Sequence, residues 1–285
     1  MKINTISPDK HNYLQIITSI AKPPKSLDII GNLPNTRITS VAIVGTRKPT
    51  PYGKEVGHML AYELAKRGII IISGLAFGID AIAHKGALEA GGTTLAVLAN
   101  GLPGIYPASH KALASQIIEG NGAILSEYEQ GTDARPYQFL ERNRIVSGLS
   151  DALIIIEAAA RSGTLNTATH ALEQGREIFV VPGNITSPLS AGCNSLSKQG
   201  AHPVTCVEDI LEVIAPNLLQ PQSVLPLGTT PQETTLIQLL QQGIRDGDAL
   251  QQASGLTVPE FSQTLTMLEI NGIVRGLGGN QWTLR

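Results

Sequence analysis

The residues with the clearest chemical potential in this sequence follow an apolar run near its start. Val41–Val44 is apolar and mostly β-branched, which predicts a strand buried on both faces of a parallel sheet. Gly45, Thr46, Arg47 and Lys48 follow it directly. Glycine permits a sharp turn and close ligand approach, the next helix would offer unpaired N–H groups, and the two cations add full charges. These residues predict a phosphate-binding turn; the alternative is an ordinary strand–helix turn with two solvated cations.

A second glycine loop follows the next predicted strand. Ser73 and Gly74 end an apolar run, and Gly78 comes four residues after Gly74. Because the carboxyl ends of neighbouring parallel strands meet at one edge of a sheet, this loop is expected beside the first one. Its hydroxyl and backbone amides predict a second phosphate cradle. The alternative is a turn that only requires positive φ.

A polar cluster with one aromatic ring lies on a predicted helix further along the chain. Phe139 and Arg142 are neighbours at i and i+3, and Asn143 and Arg144 follow. A ring that stacks on a base, next to arginines that contact phosphates, is typical of a surface that binds a nucleic-acid strand. The alternative is an exposed helix face on which Glu141 partly neutralises the arginines.

Two more candidates stand after predicted strands. Ser162, Gly163 and Thr164 open a helix, where the hydroxyls can cap the helix and the glycine can let an anion approach. Asn194 follows a later loop. Its amide could hydrogen-bond a base edge or cap a helix.

Composition limits the function classes. The formal charge of -2 and the pI of about 6.3 mean that any nucleic-acid site is a local patch on a nearly neutral body. Cys193 and Cys206 have no metal-binding spacing, which indicates reduced, structural cysteines. The sequence contains no P-loop, dinucleotide fingerprint, nucleophile elbow or zinc-protease motif. We therefore expect no bound NAD, no metal and no catalytic acid–base pair.

The apolar runs are too short to span a bilayer and the N-terminus has no apolar signal region, which predicts a soluble, cytoplasmic protein without a membrane partner.

The periodic pattern predicts the elements that position these residues. Between residues 41 and 214, apolar strands alternate with helical runs, which predicts an extended Rossmann-like, doubly wound, mainly parallel α/β sheet. We expect four segments: a lead-in at 1–40, the Rossmann-like domain with the candidate binding residues at 41–214, a proline-rich linker at 215–230 and a small C-terminal winged-helix domain at 231–285. The predicted strands are Val41–Val44, Ile69–Ser73, Thr94–Leu98, Ala123–Ser126, Ala152–Ile156, Glu177–Val181 and Pro203–Val207. The predicted helices are Tyr52–Arg67, Ile79–Ala90, Ser109–Glu119, Phe139–Leu149, Thr164–Gln174, Glu208–Ile214 and a short one from about Ser195.

The tail has the pattern of three helices and a two-stranded wing, which describes a winged helix. Its third helix carries no lysine or arginine between Thr257 and Asn271, but it carries Glu260 and Glu269. A helix that reads duplex DNA needs cations for the phosphates. We therefore predict that residues 226–285 alone do not bind duplex DNA in a gel-shift titration, and robust binding there would contradict this prediction.

Several motifs in series resemble one known family from about residue 13 to 212. The chain resembles the DNA-processing protein A family (DprA, also called Smf), and its tail resembles the small winged-helix domain of that family. The motifs that carry the resemblance are Val41–Arg47, Ser73–Asp80, Tyr106-Pro107, Ser126–Tyr128, Phe139 with Arg142–Arg144, Gly148–Ser150, Ser162–Thr164, Gly175–Glu177 and Pro182-Gly183.

The resemblance implies a non-enzymatic, cytoplasmic protein that binds single-stranded DNA in natural transformation and hands it to the RecA-type recombinase. It also implies a Rossmann-like fold, a homodimer and no cofactor. By position, the resemblance implies phosphate contacts for Gly45, Thr46 and Arg47 and base or backbone contacts for Phe139, Arg142 and Arg144. Ser73 and Gly74 would line the same groove, and Lys111 is a weaker candidate.

The chain departs from the family pattern at three points. His110 stands where the family commonly has asparagine, and Asn166 stands where it commonly has isoleucine. We also expect a form without the helical N-terminal domain of many members, and a role outside transformation stays open.

Two other functions stay open. The first is a nucleotide-processing Rossmann enzyme of the phosphoribohydrolase, lysine-decarboxylase-like group, whose motif is P-G-G-x-G-T-x-x-E. The corresponding segment, residues 160–167, lacks the catalytic-type glutamate. The second is a protein-interaction role in which the winged helix binds a partner or duplex DNA.

Overall fold

The structure is a computed structural model that describes residues 2–219 and 230–284. The chain divides into two compact units, Met1–Leu218 and Leu219–Arg285. Most of the predicted linker at 215–230 lies outside the described residues, apart from a short 3-10 turn at Pro216–Leu218.

The first unit alternates strands and helices over most of its length. Its strands are β1 (Asn4–Ile6), β2 (Leu27–Gly31), β3 (Ser40–Val44), β4 (Ile70–Ser73), β5 (Thr94–Val97), β6 (Ala123–Ser126), β7 (Ala152–Ile155), β8 (Glu177–Val180) and β9 (His202–Pro203). Its helices are α1 (Pro51–Lys66), α2 (Ile79–Glu89), α3 (Lys111–Glu119), α4 (Pro136–Gly148), α5 (Gly163–Glu173), α6 (Ala191–Lys198) and α7 (Glu208–Ile214).

Within residues 2–219 these nine strands form one sheet, in the order β1-β2-β6-β5-β4-β3-β7-β8-β9. The strands from β6 across to β9 are parallel, and β1 and β2 are antiparallel additions at one side. From β3 the chain adds β4, β5 and β6 on one side and then returns to place β7 on the other. The loops after β3 and β7 therefore separate at a topological switch point, where doubly wound sheets bind ligands. The predicted fold class is confirmed.

Apolar side chains on both faces explain why β3 lies in the middle of the sheet. All five residues of β3 are buried, and it pairs with β7 from Val41 opposite Ala152 to Val44 opposite Ile155. Helix α1 covers the sheet with one stripe of small and apolar side chains. The stripe repeats at helical spacing and consists of Gly53, Gly57, Leu60, Ala61 and Leu64.

The predicted lead-in is part of this sheet rather than a separate segment. It supplies β1 and β2, and β2 pairs with β6. Tyr13 is fully buried in the same core, and its hydroxyl lies 2.8 Å from Ser40 Oγ on β3. The sequence pattern missed β2 because its apolar run is short and is interrupted by Asp28.

Three element boundaries also differ from prediction by three residues or more. The last predicted strand, Pro203–Val207, is only the two-residue β9. The short helix expected from about Ser195 already begins at Ala191, and α4 begins three residues before Phe139.

The second unit has its own apolar core and the predicted winged-helix order. It consists of α8 (Pro231–Gln241), α9 (Gly247–Ser254), α10 (Val258–Ile270), β10 (Val274–Gly278) and β11 (Gln281–Leu284), with β10 and β11 antiparallel. Leu236, Leu250 and Leu268 bring the three helices together, and Trp282 packs against them from the wing. The winged-helix prediction is confirmed.

Among residues 2–219 and 230–284, no helix combines the length and apolarity that a membrane crossing requires.

Candidate nucleic-acid interface

A cleft of about 510 Å³ opens at the switch point, between the loops that follow β3 and β7. Helix α4 and the first turn of α5 close its remaining sides. The residues that line it and that the sequence had singled out are Gly45, Thr46, Arg47, Phe139, Arg142, Asn143, Ser162, Gly163 and Thr164. Asp80 and Arg161 also line it and were not predicted.

The turn after β3 is held between two neighbouring loops. The Thr46 amide donates to the carbonyl of Glu157 over 2.8 Å, and the Ile79 amide donates to the Thr46 carbonyl over 3.2 Å. A Cβ on Gly45 would lie 2.7 Å from Ile79 Cγ1, so only glycine fits there without a shift. These contacts therefore hold the backbone of the turn in place, and the turn carries the side chain of Arg47.

The N-terminus of α1 is not the anion site that the sequence predicted. The side chain of Glu157 occupies it: its carboxylate accepts from the Thr50 amide over 2.9 Å and from the Thr50 hydroxyl over 2.5 Å. A Cβ on Gly53 would lie 2.4 Å from Glu157 Oε2. Because a carboxylate of the protein already meets this positive helix end, a ligand phosphate has no place there.

The N-terminus of α5 faces the cleft instead. Ser162 Oγ accepts from the Thr164 amide over 3.2 Å and caps the helix. A Cβ on Gly163 would meet only Leu140 Cδ2, at 3.8 Å, so the backbone of Gly163 is open to an approaching group. Arg47 and Arg161 are exposed at the same opening, and this combination suits an anion.

Arg47, rather than Arg142, is the cation that pairs with the aromatic ring. Its guanidinium carbon lies 5.2 Å from the centroid of Phe139, within cation–π range. On another side Phe139 packs edge-to-face with Tyr106, with ring centroids 5.6 Å apart. A cation from the turn after β3 and a ring from helix α4 therefore lie together at the cleft.

Arg142 is buried and bonded inside the protein. It is 4% exposed, and its Nη1 donates to the carbonyl of Gly74 over 2.8 Å and to the carbonyl of Val97. Burial lowers the pKa of Arg142, and the nearby charge of Asp80 partly offsets that shift. The expectation that Arg142 is a free phosphate contact is wrong, because the side chain is buried and its Nη1 is bonded to backbone carbonyls, although its Nε has no partner among the described residues.

The second glycine loop is closed around Arg142 and Asp80. Asp80 Oδ2 accepts from the amides of Gly74 and Ala76 over 3.1 and 3.4 Å, and a Cβ on Gly74 would lie 2.3 Å from Arg142 Nη1. Burial raises the pKa of Asp80, against the lowering effect of Arg142. Ser73 is fully buried and donates to the carbonyl of Ile43 over 2.6 Å. The predicted phosphate cradle at Ser73 and Gly74 is therefore an internal structure.

Asn143 lines the cleft and bonds across to the next helix. Its Nδ2 donates to Asn166 Oδ1 over 3.2 Å. The polar residue at 166, which departs from the family pattern, thus has a partner on α4.

The other predicted residues lie outside the cleft. Arg144 makes a two-point ion pair with Glu127, at 2.8 and 2.5 Å, because it is about 200° around the helix from Arg142. The side-chain amide of Asn194 binds both backbone groups of Gly183, at 3.1 and 3.4 Å, so it braces a loop rather than facing a ligand. Lys48, next to Arg47, and Lys111, at the start of α3, are exposed outside the lining of the cleft.

Among the described residues, no group of three or more histidine, cysteine, aspartate or glutamate side chains is placed to hold a metal ion.

This protein is therefore of the class that combines two domains. The first is a doubly wound α/β domain with an arginine-lined cleft at its switch point, and the second is a winged-helix domain. The sequence of the chain matches the family described as DNA recombination-mediator protein A over residues 4–215. It also matches the DprA winged helix domain over residues 220–280. The chain therefore belongs to the DNA recombination-mediator protein A family, and the resemblance to DprA and Smf proteins is confirmed.

Individual relatives agree with this assignment. The chain is 38% identical to Protein Smf of Escherichia coli (strain K12) over an alignment of 288 positions, which covers 98% of this chain and 77% of that protein. The structure of DNA processing protein A from Streptococcus pneumoniae has a TM-score of 0.70 and 36% identity, over 75% of each chain. A structure that concerns the single-stranded DNA binding mode of the Helicobacter pylori protein has a TM-score of 0.66 and 34% identity, over 76% of this chain and 97% of that one.

Proposed function

We propose that this protein binds single-stranded DNA in the cleft at the switch point. The observation that carries the proposal is the pairing of Arg47 with Phe139 at the mouth of that cleft, 5.2 Å from guanidinium carbon to ring centroid. A phosphate needs the cation and an unpaired base needs the ring, and a single strand repeats both groups along its length. The single-stranded DNA binding mode of the Helicobacter pylori relative supports the same ligand.

The site residues divide between phosphate and base. The turn from Gly45 to Arg47, with Lys48 beside it, and the N-terminus of α5 at Ser162–Thr164 would hold a phosphate. Phe139 would stack on a base, and Asn143 would stand at its edge. Arg142 and Asp80 would act by positioning the loops rather than by touching the strand.

We propose the wider role from family membership. The protein would protect incoming single strands in natural transformation and load them onto a RecA-type recombinase, as a homodimer and without a cofactor. This is a binding function, not an enzymatic one.

The phosphoribohydrolase-type enzyme is the less favoured function. Its motif requires a glutamate that residues 160–167 lack. The nearby Glu157 is buried, and both of its carboxylate oxygens accept hydrogen bonds from Thr50. It is therefore not free to transfer protons.

Competition binding tests the proposed function. We expect a fluorescent oligothymidine to bind the protein and to be displaced by unlabelled single strands, but much less by duplex DNA or a nucleoside monophosphate. Duplex lacks unpaired bases, and a monophosphate has only one phosphate and one base. The measurement is fluorescence anisotropy at fixed salt, because affinities for nucleic acids depend on ionic strength. Displacement by the monophosphate at equal concentration, or its turnover, would instead favour the enzyme.

A further inference from the structure

Aromatic residues are only 4% of the chain, and among the described residues four of them are exposed: Tyr52, Phe77, Tyr106 and Tyr137. The side chain of Phe77 is 48% exposed and that of Tyr106 is 51% exposed. Phe77 lies in the loop after β4, and Tyr106 lies beyond the end of β5. Both loops are at the carboxyl edge of the sheet, on the same side of β3. Rings exposed to this degree on loops contribute little to the core, so they are available to a ligand.

Two ring pairs stand on this edge. Tyr106 packs against Phe139, which the proposed function already uses. Phe77 packs edge-to-face against His110, with centroids 5.0 Å apart and planes at 70°. His110 is fixed in turn, since its Nδ1–H donates to the carbonyl of Leu75 over 2.9 Å. The contact with His110 therefore holds the ring of Phe77 in place, and about half of the residue is exposed outside the lining of the cleft.

The loop that carries Phe77 packs directly on the turn that carries Arg47. Gly78 has φ of +79°, and a Cβ there would lie 2.3 Å from the Thr46 carbonyl oxygen and 2.8 Å from Arg47 Cα. The two loops therefore touch backbone to backbone. Phe77 is therefore next in sequence to a residue that touches the Arg47 turn, while the guanidinium of Arg47 lies over Phe139.

We propose that Phe77, backed by His110, is a second base-stacking platform, and that single-stranded DNA leaves the cleft across the loops after β4 and β5. This rests on the proposed function and lengthens the segment of the strand that the protein contacts. Stacking on a ring accepts every base, so the platform adds affinity without sequence preference. Lys111, exposed one residue after His110, would accompany the backbone of the strand.

The test is a length series of oligothymidines, from about 3 to about 12 nucleotides, which covers the site sizes of comparable single-strand grooves. The affinities of wild type, Phe77→Ala, Phe77→Tyr and Met59→Ala are compared by anisotropy. Met59 is the matched control, because it is 42% exposed on α1 and is not part of the ring cluster. We expect Phe77→Ala to bind the longest oligomers about fivefold or more weakly, the low end of one lost stacking contact. Its affinity for the shortest oligomers should not change, and Phe77→Tyr and Met59→Ala should match wild type.

The outcomes separate the two proposals. If wild type binds no oligomer of any length, the proposed function and this inference both fail. If wild type gains affinity with length and Phe77→Ala gains it equally, only the second platform is contradicted. A loss that is the same at all lengths, together with a lower unfolding temperature, would assign Phe77 a structural role and also overturn the inference.

Crosslinking gives a direct readout of contact. Oligothymidine that carries 5-iodouracil is irradiated on the wild-type protein, and the attached peptides are mapped. We expect crosslinks to the peptides that contain Phe139 and Phe77. Crosslinks at Phe139 without any at Phe77, at every position of the label, would contradict the second platform.

Discussion

Replacing Arg47 by alanine is expected to weaken oligothymidine binding about ten- to a hundredfold. This is the range for losing one charge-assisted phosphate contact together with the cation–π contact to Phe139. The residue is exposed, so the protein should fold normally. The plot of log affinity against log salt concentration should also flatten by about 0.7, because one fewer counterion is released from the single strand. Anisotropy titrations at several salt concentrations measure both quantities.

Arg67→Ala is the matched control for this substitution. Arg67 ends the same helix that follows the Arg47 turn, and it pairs with Glu63. The 16 residues of α1 place it roughly 24 Å from the start of that helix. Both variants lose one positive charge, so a purely long-range charge effect would weaken binding equally in both. An unchanged salt slope in Arg47→Ala would remove Arg47 from the phosphate site.

Removing the carboxylate of Asp80 is expected to cost about 3 kcal/mol of unfolding free energy, because two backbone amides lose a charged acceptor at about 1.5 kcal/mol or more each. Asp80→Ala leaves the buried guanidinium of Arg142 without the nearby opposite charge that acts on it. It also removes the acceptor of the Gly74 and Ala76 amides. Urea denaturation monitored by circular dichroism measures the change.

A double-mutant cycle with Arg142→Met tests the coupling itself. We expect the double variant to lose less stability than the sum of the two single variants, by about 1 kcal/mol or more, because neither charge is then left alone in the core. Strict additivity would show that Asp80 stabilises only the loop amides and does not compensate Arg142.

The fold and the position of the site followed from sequence because both depend on local patterns. Val41–Val44 is apolar on both faces, and only a central parallel strand buries such a run. The carboxyl ends of parallel strands share one edge, so the loop at Ser73 and Gly74 was expected beside the one at Gly45. The structure instead places the loop at Ser162 with Gly45 in the lining of the cleft. Strand order therefore predicted the edge of the sheet, but not which second loop lines the cleft there.

The roles of individual polar residues depended on contacts between distant parts of the chain, which spacing does not reveal. Glu157 caps Thr50 from 107 positions away, so the predicted anion site on α1 was already filled. Arg142 and Arg144 looked equivalent in the sequence, but helical geometry turns one inward and the other towards Glu127. That difference of about 200° could have been predicted from the helix period. The burial of Arg142 could not be predicted, because it depends on the loops that pack around the side chain.

The measurement that tests the central claim most directly is a crystal structure of the full chain with a short oligothymidine. Our account predicts a phosphate between the Arg47 turn and the N-terminus of α5, with a base stacked on Phe139. A strand bound along another surface, such as the separate cavity beside Arg144 and Arg176, with the switch-point cleft empty, would contradict it.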